Sequence, residues 1–292
     1  METRKIGSLD VSLAGLGCNN FGWRIDAQAT ATVVDAAIEA GINFFDTADI
    51  YGKGQSEEYL GKALGTRRKD VLVATKFGMK MDEENFGAKP AYIHRAAEAS
   101  LRRLGTDRID LYQIHQPDPS VPIEDTLGAL EDLKKAGKVR EIGCSNFSAE
   151  QLRAGRFASL QNQYSLIHRE PEKDVLPECE RLGVAFLPYF PLGNGLLTGK
   201  YRKGQPLPEG SRAQAGFGPK VFTEENLDKV EAWTKLAESQ GHTLLELAIS
   251  WLASRPIVAS VIAGAKSPEQ VKQNAQAVHW KLTESSQLSV GN

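Results

Sequence analysis

Cysteine is scarce in this chain. Its 292 residues include only 3, Cys18, Cys144 and Cys179. They form no CxxC pair and no His/Cys zinc spacing, so a disulfide framework is excluded and reduced thiols in a cytosol fit best. Long hydrophobic runs are missing too: none approaches the roughly 20 residues that a membrane helix needs. The opening stretch METRKIGSLDVSLAGLG is too polar for a secretory signal. No sign of charge dominates, because 35 basic and 37 acidic residues leave a formal net charge of −2. That argues against a generally basic nucleic-acid binder. Hydrophobic residues at 41% and charged ones at 25% exclude wholesale disorder. The expectation is a cytoplasmic globular protein without membrane or nucleic-acid partners, monomeric or weakly homo-oligomeric.

What is present is an alternation. Short apolar runs rich in Val, Ile, Leu and Phe occupy residues 12–16, 42–45, 71–75, 109–114, 139–143, 160–163, 184–187 and 257–261. Most are too short for helices and are bounded by Gly, Asp, Asn or Pro, which reads as strand. The stretches between them carry helical signals. Residues 30–40 stop at Gly41, 56–64 open with Ser and two acids, and 90–104 start at Pro90 and end at Gly105. Further helices are expected over 122–136, 148–155, 172–182, 223–240 and 243–254. Strands buried on both faces give such continuous runs, the signature of a parallel sheet. The predicted fold class is α/β: a closed (β/α)8 TIM barrel, single-domain over residues 1–292, with an open doubly wound sheet as the alternative. Residues 3–11 read as a hairpin around Gly7-Ser8, placed to plug the barrel bottom, and two extra helices precede the last strand. The Gly- and Pro-rich stretch 188–221 is long for a connection and marks a functional loop.

A barrel of this kind carries its active site at the C-terminal ends of the strands. There the sequence offers Asp46, with Tyr51 five residues on, then Lys76, His115, Ser145-Asn146, Gln163 and Tyr189. A free Tyr is a poor proton donor at neutral pH; a neighbouring Lys cation favours tyrosinate and lowers its pKa. An Asp paired with that Lys keeps it charged and in place, and a His directs the substrate oxygen. Such a set can protonate an alkoxide forming from a carbonyl, but a reduction then needs a separate hydride source. A metallohydrolase needs several His and carboxylates at strand ends; the first strand has no HxH and only one strand ends in His, so no metal is expected. Gly52 and Gly54 make no phosphate loop. His94 and His168 read as structural, and Cys144 as a small core residue. Trp23 and Phe86 are candidates for a substrate pocket, or else ordinary packing.

The segments GINFFDTADIYGKGQSEEYLGKAL (41–64), VLVATKFG (71–78), DRIDLYQIHQPD (107–118), GKVREIGCSNFS (137–148), LPYFPLGNGLLTGKY (187–201) and VIAGAKSPEQVKQNA (261–275) resemble, in order, the aldo-keto reductase superfamily. The resemblance spans essentially the whole chain. It implies NADPH-dependent reduction of aldehydes or ketones to alcohols, with NADPH/NADP+ as cofactor. It places Asp46, Tyr51, Lys76 and His115 on the family's catalytic tetrad, with Tyr51 as general acid. It puts Ser145, Asn146 and Gln163 at the nicotinamide carboxamide and Tyr189 against the nicotinamide face. Leu192, Gly193 and Asn194 match the segment over the pyrophosphate, with charge from Lys200. Lys266 and Ser267 fall at the adenosine 2′-phosphate, Gln270 and Asn274 at the adenine, and Gly264 among the cofactor-binding residues. Independently, Ser267-Pro268-Glu269 reads as a helix start, whose backbone N–H groups favour a phosphate. Two positions depart from the family pattern: Gln270 stands where many members have Arg, and Ala263 where Pro is usual. The superfamily also holds redox-sensing subunits with little turnover, which remain the alternative function. Substrate choice rests on the loops 82–89 and 206–219.

Overall fold

The computed structural model describes residues 1–209, 221–283 and 290, so most of the loop 206–219 lies outside the described residues. The chain opens with the expected hairpin, β1 (Thr3–Ile6) antiparallel to β2 (Leu9–Ser12), with Ile6 opposite Leu9. Its turn needs Gly7, whose φ is +54° and whose missing Cβ would stand 2.6 Å from the Glu141 carboxyl carbon. Glu141 in turn accepts a hydrogen bond from the Ser8 amide at 2.8 Å. Ile6, Leu9 and Val11 are buried against Phe44, Ala74, Leu111, Leu187, Ala259 and Ile262. The hairpin therefore plugs the N-terminal end of the barrel with apolar side chains.

Eight parallel strands follow: β3 (Ala14–Gly17), β4 (Phe44–Asp46), β5 (Leu72–Phe77), β6 (Ile109–Ile114), β7 (Val139–Ser145), β8 (Ser159–Gln163), β9 (Ala185–Tyr189) and β10 (Val261–Gly264). They pair in chain order from β3 to β9, and β10 pairs with β3. The bridge of Phe186 with Val258 closes the ring. The expected last strand, 257–261, is therefore displaced. Its first part does pair, but with β9, through Phe186 N–H to the Ile257 carbonyl at 2.9 Å and Ala259 N–H to the Phe186 carbonyl at 3.0 Å. The chain then steps across, and Val261–Gly264 pairs with Ala14–Gly17. A run read by hydrophobicity alone marks where the segment is buried, not which neighbour it serves. The step carries the strand end forward to Gly264, at the rim.

Helices α1 (Ala27–Glu39), α2 (Gln55–Leu64), α3 (Pro90–Leu104), α4 (Ile123–Lys135), α5 (Ala149–Arg153) and α6 (Val175–Leu182) fill the connections, close to the expected positions. Two helices, α7 (Glu224–Ser239) and α8 (Leu244–Ala253), stand between β9 and β10, and α9 (Pro268–Ala277) follows β10. Thr243 and Glu246 form a reciprocal capping box at the start of α8. All of β6 is buried, including Asp110, which Arg68 and Arg140 pair at 2.8 and 3.0 Å. Among the described residues no helix is long and apolar enough to cross a membrane.

Candidate active site

Asp46 closes β4, and Lys76 is the penultimate residue of β5. The ladder sets Asp46 opposite Ala74. Lys76 lies two residues further along β5, so it shares a strand face with Ala74. Its ammonium meets the Asp46 carboxylate at 2.7 Å and the Thr47 carbonyl at 2.8 Å. Lys76 is fully buried and Asp46 nearly so. The other Asp46 oxygen accepts from Gln113 at 3.2 Å and Gln161 at 3.1 Å. A buried charge pair is tolerable only when its remaining donors and acceptors are met in this way.

Tyr51 sits above this pair on the turn after β4. The turn runs through Gly52, Lys53 and Gly54, all with positive φ. Gly52 also lets the loop after β3 approach closely, because a Cβ there would stand 3.2 Å from the Phe21 carbonyl oxygen. The Lys76 ammonium is 5.2 Å from the Tyr51 ring centroid. His115, the first residue after β6, presents its ring edge-on to Tyr51, with centroids 5.8 Å apart at 81°. The four side chains named from the sequence are thus brought together at one rim.

Their protonation follows from burial and neighbours. Burial raises the Tyr51 pKa; the Lys76 charge pulls it down without overcoming that rise. The expectation of an unusually acidic phenol is corrected here: the phenol stays protonated, since desolvation of a phenolate outweighs one ammonium. For Lys76, burial is the largest influence and acts downward, but Asp46 and Tyr51 together lift its pKa above the usual value. Burial, helped by the Lys76 charge, lowers His115 to about 3. Its imidazole is therefore neutral through the physiological range, and its Nδ1 is buried without a hydrogen-bond partner among the described residues.

A cavity of about 570 Å³ opens from Asp46, Tyr51 and His115 along the rim. Ser145 and Asn146 from the end of β7 line it. Asn146 has φ +61°. Its side-chain amide donates to the His115 carbonyl at 2.9 Å. The Tyr189 hydroxyl donates to Asn146 Oδ1 at 2.8 Å, which fixes the ring of Tyr189 at the cavity wall. Leu192, Asn194 and Lys200 contribute from the segment after β9. Gly264, Lys266, Gln270 and Asn274 line the opposite end. There Gln270 accepts the Lys266 amide N–H at 2.8 Å through its side chain.

Besides Lys76, which is fully buried beneath it, five expected positions lie outside the wall. Gln161, not Gln163, lines the cavity from β8. The two share a strand face, so period-2 alternation does not distinguish them; the bond from Gln161 to Asp46 does. Gly193 is buried, and a Cβ there would collide with the Ile167 side chain. Ser267 caps α9, its Oγ accepting the Gln270 amide N–H at 3.4 Å. Trp23 and Phe86 are 53% and 50% exposed, and the wall takes Arg24, Met79 and Gln116 in their place. Met79 lies two residues past β5 and Gln116 follows His115 directly, so the strand-end rule that finds Lys76 and His115 also reaches them.

The profile of the aldo/keto reductase family matches residues 14–288. The oxidoreductase YqkF of Bacillus subtilis is 37% identical over 296 residues, covering 97% of this chain and 94% of that protein. The aldo-keto reductase yakc [NADP(+)] of Schizosaccharomyces pombe is 34% identical over 302 residues, covering 97% of this chain and 88% of that protein. Among solved structures, aldo-keto reductase AKR11C1 from Bacillus halodurans (holo form) superposes with a TM-score of 0.84 at 35% identity, covering 100% of this chain and 95% of the other. The glycerol dehydrogenase AKR11B4 from Gluconobacter oxydans gives 0.86 at 34% identity, covering 99% and 94%. Likeness at this level over nearly the full length makes the chain an oxidoreductase of the aldo/keto reductase family.

Proposed function

We propose that the protein reduces small aldehydes or ketones to alcohols with NADPH and catalyses the reverse oxidation with NADP+. The observation that carries this reading is the buried Lys76–Asp46 pair beneath Tyr51, with the His115 ring edge-on to the phenol. When bound, the nicotinamide supplies a hydride to the carbonyl carbon. The chain's own groups manage the oxygen. Tyr51 gives its phenol proton to that oxygen, and burial keeps the proton in place until the oxygen becomes basic. Lys76 stabilises the phenolate left behind, a fixed cation in a site of low dielectric. Asp46, held by Gln113 and Gln161, prevents Lys76 from swinging away. His115, neutral, directs the carbonyl without adding a second positive charge beside Lys76.

The residues present fit a nicotinamide dinucleotide. Asn146, Gln161 and Ser145 offer amides and a hydroxyl for the carboxamide, and Tyr189 offers a ring whose hydroxyl is already tied down. Lys200, with Leu192 and Asn194, would take the pyrophosphate. Lys266 just ahead of α9 joins a cation to a helix N-terminus, which suits a 2′-phosphate. The relative named for NADP(+) supports the same choice. An absorbance assay of NADPH oxidation across aldehydes, ketones and the reverse alcohols tests the reading. Carbonyl-dependent oxidation is expected; stoichiometric NADPH binding without turnover on the whole panel would replace it with the redox-sensing alternative.

A further inference from the structure

The cavity wall takes Met79 from the loop after β5 and Gln116 from the loop after β6, and neither has a role in holding the cofactor under the reading above. Both belong to the reacting end. Gln116 follows His115 in the chain. Gly78, just before Met79, lies against His115: a Cβ on Gly78 would stand 4.0 Å from the His115 amide nitrogen, and that amide donates to the Phe77 carbonyl at 2.8 Å. The loop that carries Met79 is closed at its neck, where the Gly87 amide donates to the Gly78 carbonyl at 2.9 Å. Within the loop Asp82 accepts the Glu84 and Asn85 amides, both at 2.9 Å. The neck is tied to the neighbouring loop by Asp118. Its Oδ2 accepts the Ala88 amide at 2.8 Å, and a Cβ on Gly87 would stand 2.5 Å from the same oxygen. Its Oδ1 accepts the Ser120 amide at 3.0 Å and the Ser120 hydroxyl at 2.6 Å, which fixes the carboxylate on its own loop. Burial works to raise the Asp118 pKa, but the bonds from Ser120 and Ala88 and the Lys89 charge bring it below the usual carboxylate value. The Ala88 carbonyl accepts the Thr126 hydroxyl of α4 at 3.0 Å. That bond holds the loop to a helix; the Asp118 bond holds it to the loop that begins at His115.

We propose that Asp118 is a specificity-determining positioning residue: by clamping the β5 loop to the β6 loop it fixes Met79 in the wall beside His115, and so limits the size of the carbonyl substituent admitted there. The inference rests on the carbonyl-reductase reading. Asp118 does not line the cavity, so it acts only through the loop it holds. A methionine on a loose loop adapts to what it meets, because its side chain has three rotatable bonds. Anchoring the backbone beneath it restricts where the thioether can go. Without the carboxylate the Ala88 amide loses its partner and the neck is free to move away from His115. Room for a larger group then grows, while the contacts that orient a small one are lost.

The test measures NADPH-dependent reduction of propanal and of naphthaldehyde by wild type and variants. In Asp118→Ala the ratio of kcat/KM for naphthaldehyde to that for propanal should rise by about tenfold, the lower end of what a methylene-sized misfit is worth. The shift should lie in KM more than in kcat, and NADPH affinity should not change. Asp118→Asn keeps an oxygen for the Ala88 amide and should return most of the wild-type ratio. Met79→Ala should move the ratio in the same direction, and adding Asp118→Ala to it should move it little further, because both act through one side chain. Trypsin cleavage after Lys80, in the same loop, reports release of the loop without turnover, and should be faster in Asp118→Ala than in Asp118→Asn. A ratio unaltered in Asp118→Ala would overturn the proposal, even with faster cleavage or with both substrates slowed by one factor. A full additive shift on top of Met79→Ala would overturn it as well. Should Asp118→Ala not fold, Gly87→Ala decides: its Cβ pushes the neck off Asp118 and should raise the ratio, and an unaltered ratio overturns the clamp. If wild type reduces neither compound nor any carbonyl of the wider panel, the reductase reading itself fails, a result visible before any variant is made.

Discussion

Replacing Asp49 with Asn removes a carboxyl group that folding holds in its neutral form. Asp49 is 2% exposed. Its Oδ1 has no hydrogen-bond partner among the described residues, and the Tyr92 hydroxyl reaches Oδ2 at 3.4 Å. Glu57 is a like-charged neighbour, engaged by Arg103 at 2.6 Å and Thr75 at 2.5 Å. Burial first, and Glu57 second, raise the Asp49 pKa from 3.8 to about 7; Arg103 and Tyr92 oppose this only in part. Between pH 4 and 7 the unfolded chain has released this proton while the folded chain retains it. Stability therefore falls as pH rises through that window and levels off above it. Roughly three pKa units correspond to about 4 kcal/mol. Asn titrates in neither state. The stability difference between Asp49→Asn and wild type should start near zero at pH 4 and grow in the variant's favour to about 4 kcal/mol by pH 8. Urea unfolding of both proteins at pH 4, 6 and 8 reads it directly. Carboxylates with depressed pKa, such as Glu172 and Glu246, give the opposite slope in both proteins and cancel in the difference. A difference that does not change with pH would refute the reasoning.

Other consequences can be checked one by one. Lys266→Ala should weaken NADPH by about tenfold and NADH far less, since the lost contact is charge-assisted; equal losses in a fluorescence titration would remove Lys266 from the 2′-phosphate. Gln161→Ala should cost about 1–3 kcal/mol in denaturant by leaving the buried Asp46 short of a donor. Gln163→Ala should stay within about 0.5 kcal/mol, and the reverse order would restore the sequence-based placement. Because His115 is lowered to about 3, kcat/KM should show no histidine limb between pH 5 and 8, and an inflection near 6.5 that vanishes in His115→Gln would contradict its neutral state.

Much of the barrel was legible because parallel strands buried on both faces write themselves as unbroken apolar runs. The 109–114 run is β6 residue for residue, and the Pro90 start and Gly105 stop of α3 are local chemistry that needs no tertiary knowledge. The bounds of the last strand are not legible, because the two halves of 257–264 serve different neighbours and hydrophobicity does not encode partner choice. Asp46, Lys76 and His115 were readable as polar residues that end apolar runs, and Tyr51 through its fixed spacing from Asp46. Gln161 is not distinguished from Gln163 in the sequence, because the face of a strand fixes parity while depth along the barrel is set by stagger between strands. The acidity of Tyr51 is not legible, because a sequence shows the neighbouring Lys but not the cost of burying a phenolate. Arg24 was invisible as a site residue: its position depends on Gly22 and Gly52 letting two loops meet, a contact with no periodic signature.

The claim on which the mechanism turns is that Tyr51 donates the proton. Single-turnover reduction of a reactive aldehyde by Tyr51→Phe, with NADPH affinity measured on the same preparation, tests it most directly. The hydrophobic ring remains while the hydroxyl is gone, so NADPH affinity should stay near the wild-type value while the chemical step slows by about 10²–10⁴-fold. A variant that turns over at the wild-type rate would show that the proton reaches the oxygen by another route.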